Sequence, residues 1–326
     1  MIRIGISTIC SVVITCCLCP FVLSATRKLK AGQPILGYVT NHYAKSGTPT
    51  MGGIAFLLGT SLVGIVINVG YSHYAVVVAV SALGYGLIGF LDDFIKIKSH
   101  NNQGLRAYQK LIGQFGIAII LSFYIAKSSN TGSALNIPFS DKVIDLGDFA
   151  IPIYAFFIVG VVNFVNLTDG LDGLVSTSGT IYLIALGIVL FLSSLKDPVN
   201  SVEFLGLSSF SISFGFSLAV FFVLNSFPAK IFMGDTGSLG AGAVIALVCL
   251  MSGNALLFFI VGAVYVMSGL SVVLQVAWFK LTKKRIFKMA PFHHHLERCG
   301  LHENKIVAIY SLITLCGSLA VITFWG

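Results

Sequence analysis

A polar stretch interrupts apolar sequence near the middle of the 326-residue chain. At residues 163–173 it reads Asn-Phe-Val-Asn-Leu-Thr-Asp-Gly-Leu-Asp-Gly, with apolar segments on both sides. An ionisable group at the centre of a bilayer costs about 2.5–3.5 kcal/mol, so these acids must face water, a cation or a substrate. Asn166, Asp169 and Asp172 are spaced i, i+3, i+6, which predicts one shared face if the segment is helical. The alternative is a polar loop between two membrane helices.

Two further acidic sites lie at the ends of apolar segments. Asp92 and Asp93 are adjacent, with Lys96 about one turn later. Adjacent carboxylates repel each other unless a divalent cation, a proton or a lysine offsets them; a solvated helix end is the simpler interpretation. Asp235, in Met-Gly-Asp-Thr-Gly-Ser, has the glycines and hydroxyls expected of a metal ligand at a phosphate-binding helix N-terminus.

Three basic or glycine-rich elements complement these acids. The segment Lys-Ser-Gly-Thr-Pro-Thr-Met-Gly-Gly at 45–53 begins with Lys45 and contains Thr50. Glycines there let backbone approach a ligand, or serve only close helix packing. Lys110 opens a later apolar segment. These elements add cations and backbone contacts suited to phosphate groups.

A histidine triplet lies in the longest basic loop, within Pro-Phe-His-His-His-Leu-Glu at 291–297. It resembles a metal tract. Consecutive residues on regular backbone cannot all face one ion, so phosphate binding by one or two rings is an equal alternative. The third interpretation is a surface tract of histidines without a function.

The composition is that of an integral membrane protein. Hydrophobic residues make up 56% of the chain and charged residues 10%, with a mean hydropathy of +0.93, whereas soluble domains carry about 25% charged residues. Runs of helical length exclude the alternating strands of an outer-membrane barrel. We therefore predict an all-α integral membrane protein, residues 1–326 forming a single polytopic domain, with the first segment retained and all seven cysteines free. The ten predicted spans are 3–23, 51–69, 74–91, 111–127, 150–166, 174–193, 204–224, 238–252, 255–279 and 304–324.

The distribution of positive charge predicts the topology. Sixteen of the 20 lysines and arginines fall at one set of segment ends and connections, and four at the other. Loops rich in lysine and arginine stay in the cytoplasm, so the acidic sites and the histidine loop are expected there and both termini outside. The outer loop 128–149 alternates apolar and polar residues around turn residues, which favours a small β-hairpin.

Acids and lysines at one membrane face indicate metal-assisted phosphate chemistry. Carboxylates with water suit Mg²⁺, with Mn²⁺ as a substitute, together with substrate phosphates; no Cys/His set with zinc spacing occurs. A diphosphate site at this face implies a nucleotide-activated donor and a lipid phosphate acceptor. A secondary transporter would carry its acids near the midplane of two repeated halves, and a channel would show a ring or filter. An enzyme is favoured over both.

Five motifs resemble those of phospho-N-acetylmuramoyl-pentapeptide transferases, a branch of the polyprenyl-phosphate N-acetylhexosamine-1-phosphate transferase superfamily. They cover essentially the whole chain: Gly-Thr-Pro-Thr-Met-Gly-Gly at 47–53, Leu-Asp-Asp-x-x-Lys at 91–96, Asn-Leu-Thr-Asp-Gly-Leu-Asp-Gly at 166–173, Met-Gly-Asp-Thr-Gly-Ser at 233–238 and Pro-Phe-His-His-His-Leu-Glu at 291–297. The unbroken histidine triplet looks specific to the muramoyl branch. The loop at 32–45 is less typical of it.

The resemblance implies transfer of phospho-MurNAc-pentapeptide from UDP-MurNAc-pentapeptide to undecaprenyl phosphate, giving lipid I and UMP with Mg²⁺ in peptidoglycan synthesis. By the same resemblance Asp92, Asp93, Asp235 and His294 are the expected catalytic residues, with Asp235 as the metal ligand and Asp93 and Asp169 as further candidates. The expected substrate-binding residues are Lys45, Thr50, Lys96, Lys110, Asn166, Asp169, Gly170, Leu171, Asp172, Asn225, Phe232, Ser238, His293 and His295.

The expected location is the bacterial cytoplasmic membrane, with the site facing the cytoplasm. The bilayer, the nucleotide donor and the lipid acceptor are the expected partners; a homodimer is compatible with the sequence, and nucleic acid is not expected. Direct attack by the lipid phosphate is favoured over a covalent intermediate on Asp92. A polyprenyl-phosphate GlcNAc-1-phosphate transferase is the alternative function.

Overall fold

The computed structural model describes residues 1–29, 47–99, 104–140 and 142–325. Within these ranges the regular structure is helical apart from two short strands, which confirms the predicted fold class. The elements are α1 (Ile2–Lys28), α2 (Gly53–Asn68), α3 (His73–Ser99), α4 (Ala107–Ser128), β1 (Ala134–Asn136), β2 (Val143–Asp145), α5 (Ala150–Thr168), α6 (Leu174–Lys196), α7 (Ser201–Asn225), α8 (Gly234–Met251), α9 (Leu257–Val261), α10 (Ala263–Thr282), α11 (Phe292–Arg298) and α12 (Glu303–Thr323).

The predicted spans correspond to helices, with two differences. In the described part of the chain nine helices are long and apolar enough to cross a membrane, while α2, in place of the predicted span 51–69, has only 16 residues. The predicted single span 255–279 is wrong, because Gly262 divides it into α9 and α10. A Cβ at Gly262 would lie 2.6 Å from the Phe258 carbonyl oxygen, so a larger residue does not fit this close turn.

Helix α8 occupies the centre of the bundle. Every residue from 236 to 251 is buried, as expected for a helix that is apolar or small on all sides. Helices α2, α3 and α5 pack around it. Their backbones approach closely: a Cβ at Gly53 would lie 2.1 Å from Gly237 Cα, and one at Gly89 would lie 2.1 Å from the Asp235 carbonyl oxygen. Small residues thus bring α2 and α3 against the first turn of α8.

The predicted hairpin is confirmed at the end of the bundle where α8 finishes. Strands β1 and β2 pair antiparallel, with Leu135 opposite Ile144. The Asn136 amide donates to the Gly253 carbonyl oxygen at 2.8 Å, which attaches the hairpin to the turn after α8. The hairpin therefore lies at the end opposite Asp235, which begins α8.

Both chain ends lie at the hairpin end as well. Near the N-terminus, the Arg3 guanidinium donates to the Ile67 carbonyl oxygen at the end of α2. Near the C-terminus, the Trp325 indole nitrogen donates to Ser193 Oγ at 3.0 Å, near the end of α6. Helices α2 and α6 both start at the Asp235 end, so the two chain ends lie on the opposite side. Which side of the membrane that is stays a prediction.

Candidate active site

Asp235, in the first turn of α8, is the point where four helices meet. Its Oδ2 accepts hydrogen bonds from Lys96 Nζ of α3 and Lys110 Nζ of α4, each at 2.9 Å. Its Oδ1 accepts from Asn166 Nδ2 of α5 at 2.7 Å. The side chain is 18% exposed, so the carboxylate is reachable from outside the bundle. Two ammonium groups and an amide thus offset and orient one carboxylate.

Asp93 binds the backbone of the first turn of α8. Its buried carboxylate accepts from the amides of Asp235 at 3.2 Å and Thr236 at 3.0 Å, and from Thr236 Oγ1 at 2.8 Å. The first amides of a helix have no partner within the helix, and the helix dipole favours a negative charge there. Asp93 therefore caps α8 from another helix and fixes the position of Asp235. Gly89, one turn before Asp93, provides the close approach that this contact needs.

Asp92 faces the loop between α3 and α4. Its Oδ1 accepts from the Leu105 amide at 2.8 Å, and its Oδ2 pairs with Lys96 Nζ at 2.5 Å. One oxygen each of Asp92, Asp93 and Asp235 lie within 4.8 Å of one another. Three hard oxygen donors without a Cys or His among them match Mg²⁺ or Mn²⁺ rather than zinc. The cluster therefore has the donor set for a divalent metal beside two lysines.

Asp169 lies in a turn, and this corrects one sequence prediction. Helix α5 ends at Thr168, so Asn166, Asp169 and Asp172 do not share one helical face. Loss of hydration, and after it the negative charges of Asp235, Asp93 and Asp172, together raise the pKa of the Asp169 carboxyl to about 8. Asp169 thus favours its protonated form at neutral pH.

Asp172 and Asn225 brace the turn that follows α5. Asp172 Oδ2 accepts from the Ala229 amide at 2.9 Å. Asn225 Oδ1 accepts from the Gly173 amide at 3.2 Å, and its Nδ2 donates to the Ile231 carbonyl oxygen at 3.1 Å. Both side chains are buried. The sequence predicted substrate ligands here, and the structure shows contacts that join the turn to the segment before α8.

Glu303, at the start of α12, was missed by the sequence analysis. It is buried, and its Oε1 accepts from the Asp172 amide at 2.5 Å. It thereby joins α12 to the turn after α5. An acid in the first turn of a helix is an ordinary feature that complements the dipole, so its position in the sequence carried no further signal.

Two of the three histidines face the turn after α5. A Cβ atom at Gly170 would lie 2.3 Å from His293 Nε2 and 3.2 Å from His294 Nε2. His294 Nδ1 pairs with Glu297 Oε2 at 2.6 Å, which orients its Nε2 edge. The triplet belongs to the short helix α11, where successive side chains point in different directions.

His295 points into its own loop. Its Nδ1 accepts from the Lys288 amide at 3.1 Å, and its ring packs against Phe287 and Phe292. The resemblance implied a catalytic role for His294 and substrate binding for His293 and His295, whereas the geometry of consecutive residues allowed only one or two rings to face a ligand. The structure brings His293 and His294 to Gly170 and gives His295 a place in the packing of the loop.

Three more predicted residues lie around the start of α8. The buried Thr50 hydroxyl would lie 2.8 Å from a Cβ at Gly234, and it has no hydrogen-bond partner among the described residues. The partly exposed Phe232 donates its amide to the Pro49 carbonyl oxygen at 2.8 Å. Ser238 Oγ accepts from Asn166 Nδ2 at 2.8 Å. Leu171 is buried beside the exposed Gly170, and Lys45 lies outside the described residues.

Comparison with known proteins defines the class first. A family model described as glycosyl transferase family 4 matches residues 75–253, a range that contains Asp92, Asp93, Lys96, Lys110, Asn166 and Asp235. A signature described as phospho-N-acetylmuramoyl-pentapeptide-transferase signature 1 matches residues 45–57. The fold and the site are thus those of a multi-pass membrane transferase of glycosyl transferase family 4.

Curated relatives narrow this class. Proteins named phospho-N-acetylmuramoyl-pentapeptide-transferase match from Clostridioides difficile (43% identity, 91% of this chain and 89% of the relative) and Caldanaerobacter subterraneus (44% identity, 90% of each). Another, from Desulfitobacterium hafniense, is 41% identical over 99% of this chain and 98% of the relative. The chain belongs to the phospho-N-acetylmuramoyl-pentapeptide-transferase family.

Proposed function

We propose that this protein transfers phospho-MurNAc-pentapeptide from UDP-MurNAc-pentapeptide to undecaprenyl phosphate, giving lipid I and UMP in peptidoglycan synthesis. The observation that carries the proposal is the cluster of Asp92, Asp93 and Asp235 with Lys96 and Lys110 at one end of a membrane bundle. Phosphoryl transfer depends mainly on positioning and charge neutralisation, and this cluster offers both. The names of the relatives supply the donor.

Asp235 and Asp92 are the residues we propose to hold Mg²⁺, for which Mn²⁺ can substitute. Asp93 is less suited as a direct ligand, because its oxygens accept from the first turn of α8. When bound, the ion would neutralise charge on the diphosphate oxygens. Lys96 and Lys110 add two ammonium groups beside the same carboxylate, suited to the phosphates of donor and acceptor.

The proposed chemical step is a direct displacement. An oxygen of the lipid phosphate attacks the sugar-bound phosphorus of the donor, a new P–O bond forms, the bond to the UMP oxygen breaks, and UMP leaves with the electron pair. A phosphate monoester has a second pKa near 6, so its dianion needs no strong base at neutral pH. Asp92, paired with Lys96, then orients the acceptor side of the site.

The turn after α5 and helix α11 form the proposed donor side. Gly170 is exposed next to His293 and His294, and Phe232 is partly exposed at the start of α8. We propose that Gly170, Leu171 and Phe232 contact uracil. His294, oriented by Glu297, would donate from Nε2 to the donor's phosphates or sugar.

The proposed location is the bacterial cytoplasmic membrane, with the Asp235 end facing the cytoplasm. The support is the lysine and arginine asymmetry, because the basic connections are at the Asp235 end. The hairpin and both termini would then face outward. The whole chain acts in this proposal as one membrane unit.

The decisive experiment measures UMP released by the purified protein with a polyprenyl phosphate and Mg²⁺. We expect UMP and an equal amount of lipid product from UDP-MurNAc-pentapeptide, and neither from UDP-GlcNAc. Efficient use of UDP-GlcNAc would indicate the polyprenyl-phosphate GlcNAc-1-phosphate transferase instead. No release from either donor would overturn the proposed reaction.

A separate test concerns the displacement mechanism. When the donor is supplied without lipid, intact mass measurement should find no phosphosugar adduct on the protein. An adduct trapped on Asp92, absent from Asp92→Asn, would replace direct attack by a covalent intermediate.

A further inference from the structure

A buried tier of polar side chains lies about one helical turn deeper than Asp235's partners. Asn163 Nδ2 of α5 donates to Gln114 Oε1 of α4 at 2.7 Å. The Tyr85 hydroxyl of α3 donates to the Gln114 backbone oxygen at 2.9 Å. Gln114 and Tyr85 are fully buried. The tier therefore links α3, α4 and α5, the helices that supply Lys96, Lys110 and Asn166.

This amide pair is not explained by packing alone. Gln114 Nε2 is buried without a hydrogen-bond partner among the described residues, and polar groups buried in a membrane are expensive. A half-satisfied polar pair stabilises a core less than apolar side chains of the same size would. The pair thus points to a role beyond filling space.

The role follows from the position of α4. This helix packs mainly against α5 and α3, and its outer face exposes Ile112, Ile119, Ile120 and Phe123. Lipid is as apolar as these side chains, so burial alone does not fix how α4 slides or turns against α5. A hydrogen bond between the two helices does fix it.

Helix periodicity connects this bond to Asp235. Gln114 follows Lys110 by four residues, and Asn163 precedes Asn166 by three, so each pair shares one helix face. Lys110 and Asn166 bind opposite oxygens of Asp235. A shift of α4 against α5 would therefore separate the ammonium from the carboxylate while Asn166 stays in place.

We propose that Gln114 and Asn163 are positioning residues that set the register of α4 against α5, and so hold Lys110 on Asp235. Neither residue touches the reacting groups; both act through Lys110 and Asn166. The activity readout of this inference rests on the proposed transferase function, whereas the helix register is measurable without any substrate.

The first experiment measures helix position directly. Spin labels are placed on Tyr108→Cys in α4 and Lys305→Cys in α12, after replacement of the seven native cysteines. Gln114→Leu should shift or broaden the distance distribution between the labels. The exchange variant, Gln114→Asn with Asn163→Gln, keeps one amide on each helix and should restore the parent distribution. Ser122→Ala is the matched control, because the Ser122 hydroxyl of α4 donates to the Ala118 carbonyl oxygen of its own helix and has no hydrogen bond to another helix in the described part of the chain.

The second experiment is a double-mutant cycle on turnover. Gln114→Leu should move Lys110 away from Asp235. Loss of that charge-assisted hydrogen bond should lower kcat about tenfold, while the donor KM stays within twofold of the parent value. Asn163→Leu should do the same, the double variant should lose no more than either single variant, and the exchange variant should recover most of the loss.

The two experiments separate the possible failures. An unchanged label distance in Gln114→Leu, or losses of kcat that multiply in the double variant, would overturn the positioning role. A wild-type protein that releases no UMP, combined with the expected label shift, would overturn the transferase function and leave the register role standing.

Discussion

The carboxylate of Asp93 accepts both the backbone amide and the hydroxyl of Thr236, at 3.0 and 2.8 Å. One acid of the adjacent pair is thereby committed to the first turn of α8, and its neighbour Asp92 is left to the loop after α3 and to Lys96. Adjacent residues on one helix point in directions about 100° apart, so the pair divides between two tasks. The cap holds Asp235 in place, and Asp92 is the acid proposed above to hold the metal together with Asp235.

Asp93→Asn should lower both stability and turnover. An amide presents only one oxygen and loses the charge, so we expect the free energy of unfolding to fall by about 1–3 kcal/mol and UMP release to fall at least tenfold, since Asp235 loses its fixed position. Glu203→Gln is the matched control, because Glu203 of α7 accepts from Ser72 Oγ and the Tyr74 amide at the far end of α3. It should lose similar stability and keep its turnover. Equal losses of turnover in both variants would refute the local role of Asp93.

Asp235→Asn should abolish turnover while the protein stays folded and inserted. Asparagine has the size of aspartate and the position is 18% exposed, so the substitution opens no cavity in the core. Mn²⁺ binding, followed by electron paramagnetic resonance, should weaken in parallel. Asp148→Asn, at an acid whose side chain is 95% exposed beside Lys127, should change neither quantity. Retained turnover of more than a few per cent would move the metal to other acids.

His294→Ala should lower turnover at least tenfold with UDP-MurNAc-pentapeptide. Loss of one charge-assisted hydrogen bond costs about 1.5–3 kcal/mol, which is roughly a ten- to hundredfold fall in rate. His295→Ala should keep most of the turnover and lower the unfolding temperature, because that ring packs within its own loop. The opposite ranking of the two variants would contradict the orientation of helix α11.

Gly170→Ala should impair turnover although it adds only a methyl group. The new Cβ would lie 2.3 Å from His293 Nε2, so the histidine helix or the turn after α5 must move. Gly160→Ala is the control, since a Cβ there meets nothing within 4 Å and alanine favours the helix. Kinetic constants for both donor and lipid would show which substrate is affected. Full activity of Gly170→Ala would mean that the two segments are not in contact during turnover.

The topology prediction can be tested in intact cells with an impermeant maleimide. Single cysteines are introduced at Ser140, Pro198, Lys230 and Lys288 of a cysteine-free protein, all at exposed positions. We expect labelling from outside at 140 and 198, and labelling at 230 and 288 only after permeabilisation. External labelling at 230 would reverse the orientation.

The helices were predictable because a long apolar run in lipid must satisfy its backbone hydrogen bonds internally. The hairpin followed from turn residues between alternating strands. The sequence also indicated that Asp92, Lys96, Lys110, Asn166 and Asp235 belong to one face, because their segment ends carry the same charge bias. Composition and spacing were sufficient for these features.

The individual partners were not predictable. Asp93 and Asp235 are 142 residues apart in the chain, and Asp172 and Glu303 are 131 apart. Spacing within one motif carries no information on such contacts. The end of α5 at Thr168 was not predictable either. Asn-Leu-Thr-Asp continues a helical spacing, and only the glycines at 170 and 173 interrupt it. The predicted site acids therefore divide between the cluster around Asp235 and positions such as Asp172, whose contacts join segments of the fold.

The central place of α8 has a consequence for how the chain is made. Helices α1 to α7 leave the ribosome before α8, so Asp92 and Asp93 enter the membrane before Asp235, their partner in the acidic cluster, is synthesised. Until then, α2 and α3 present glycine surfaces with no matching backbone. A chain that stops before residue 234 lacks Asp235, and a chain that continues through α8 gains Asp235 and the central helix of the bundle in one insertion event. The acidic cluster and the central packing are thus completed together during biosynthesis, before the histidine helix α11 is made.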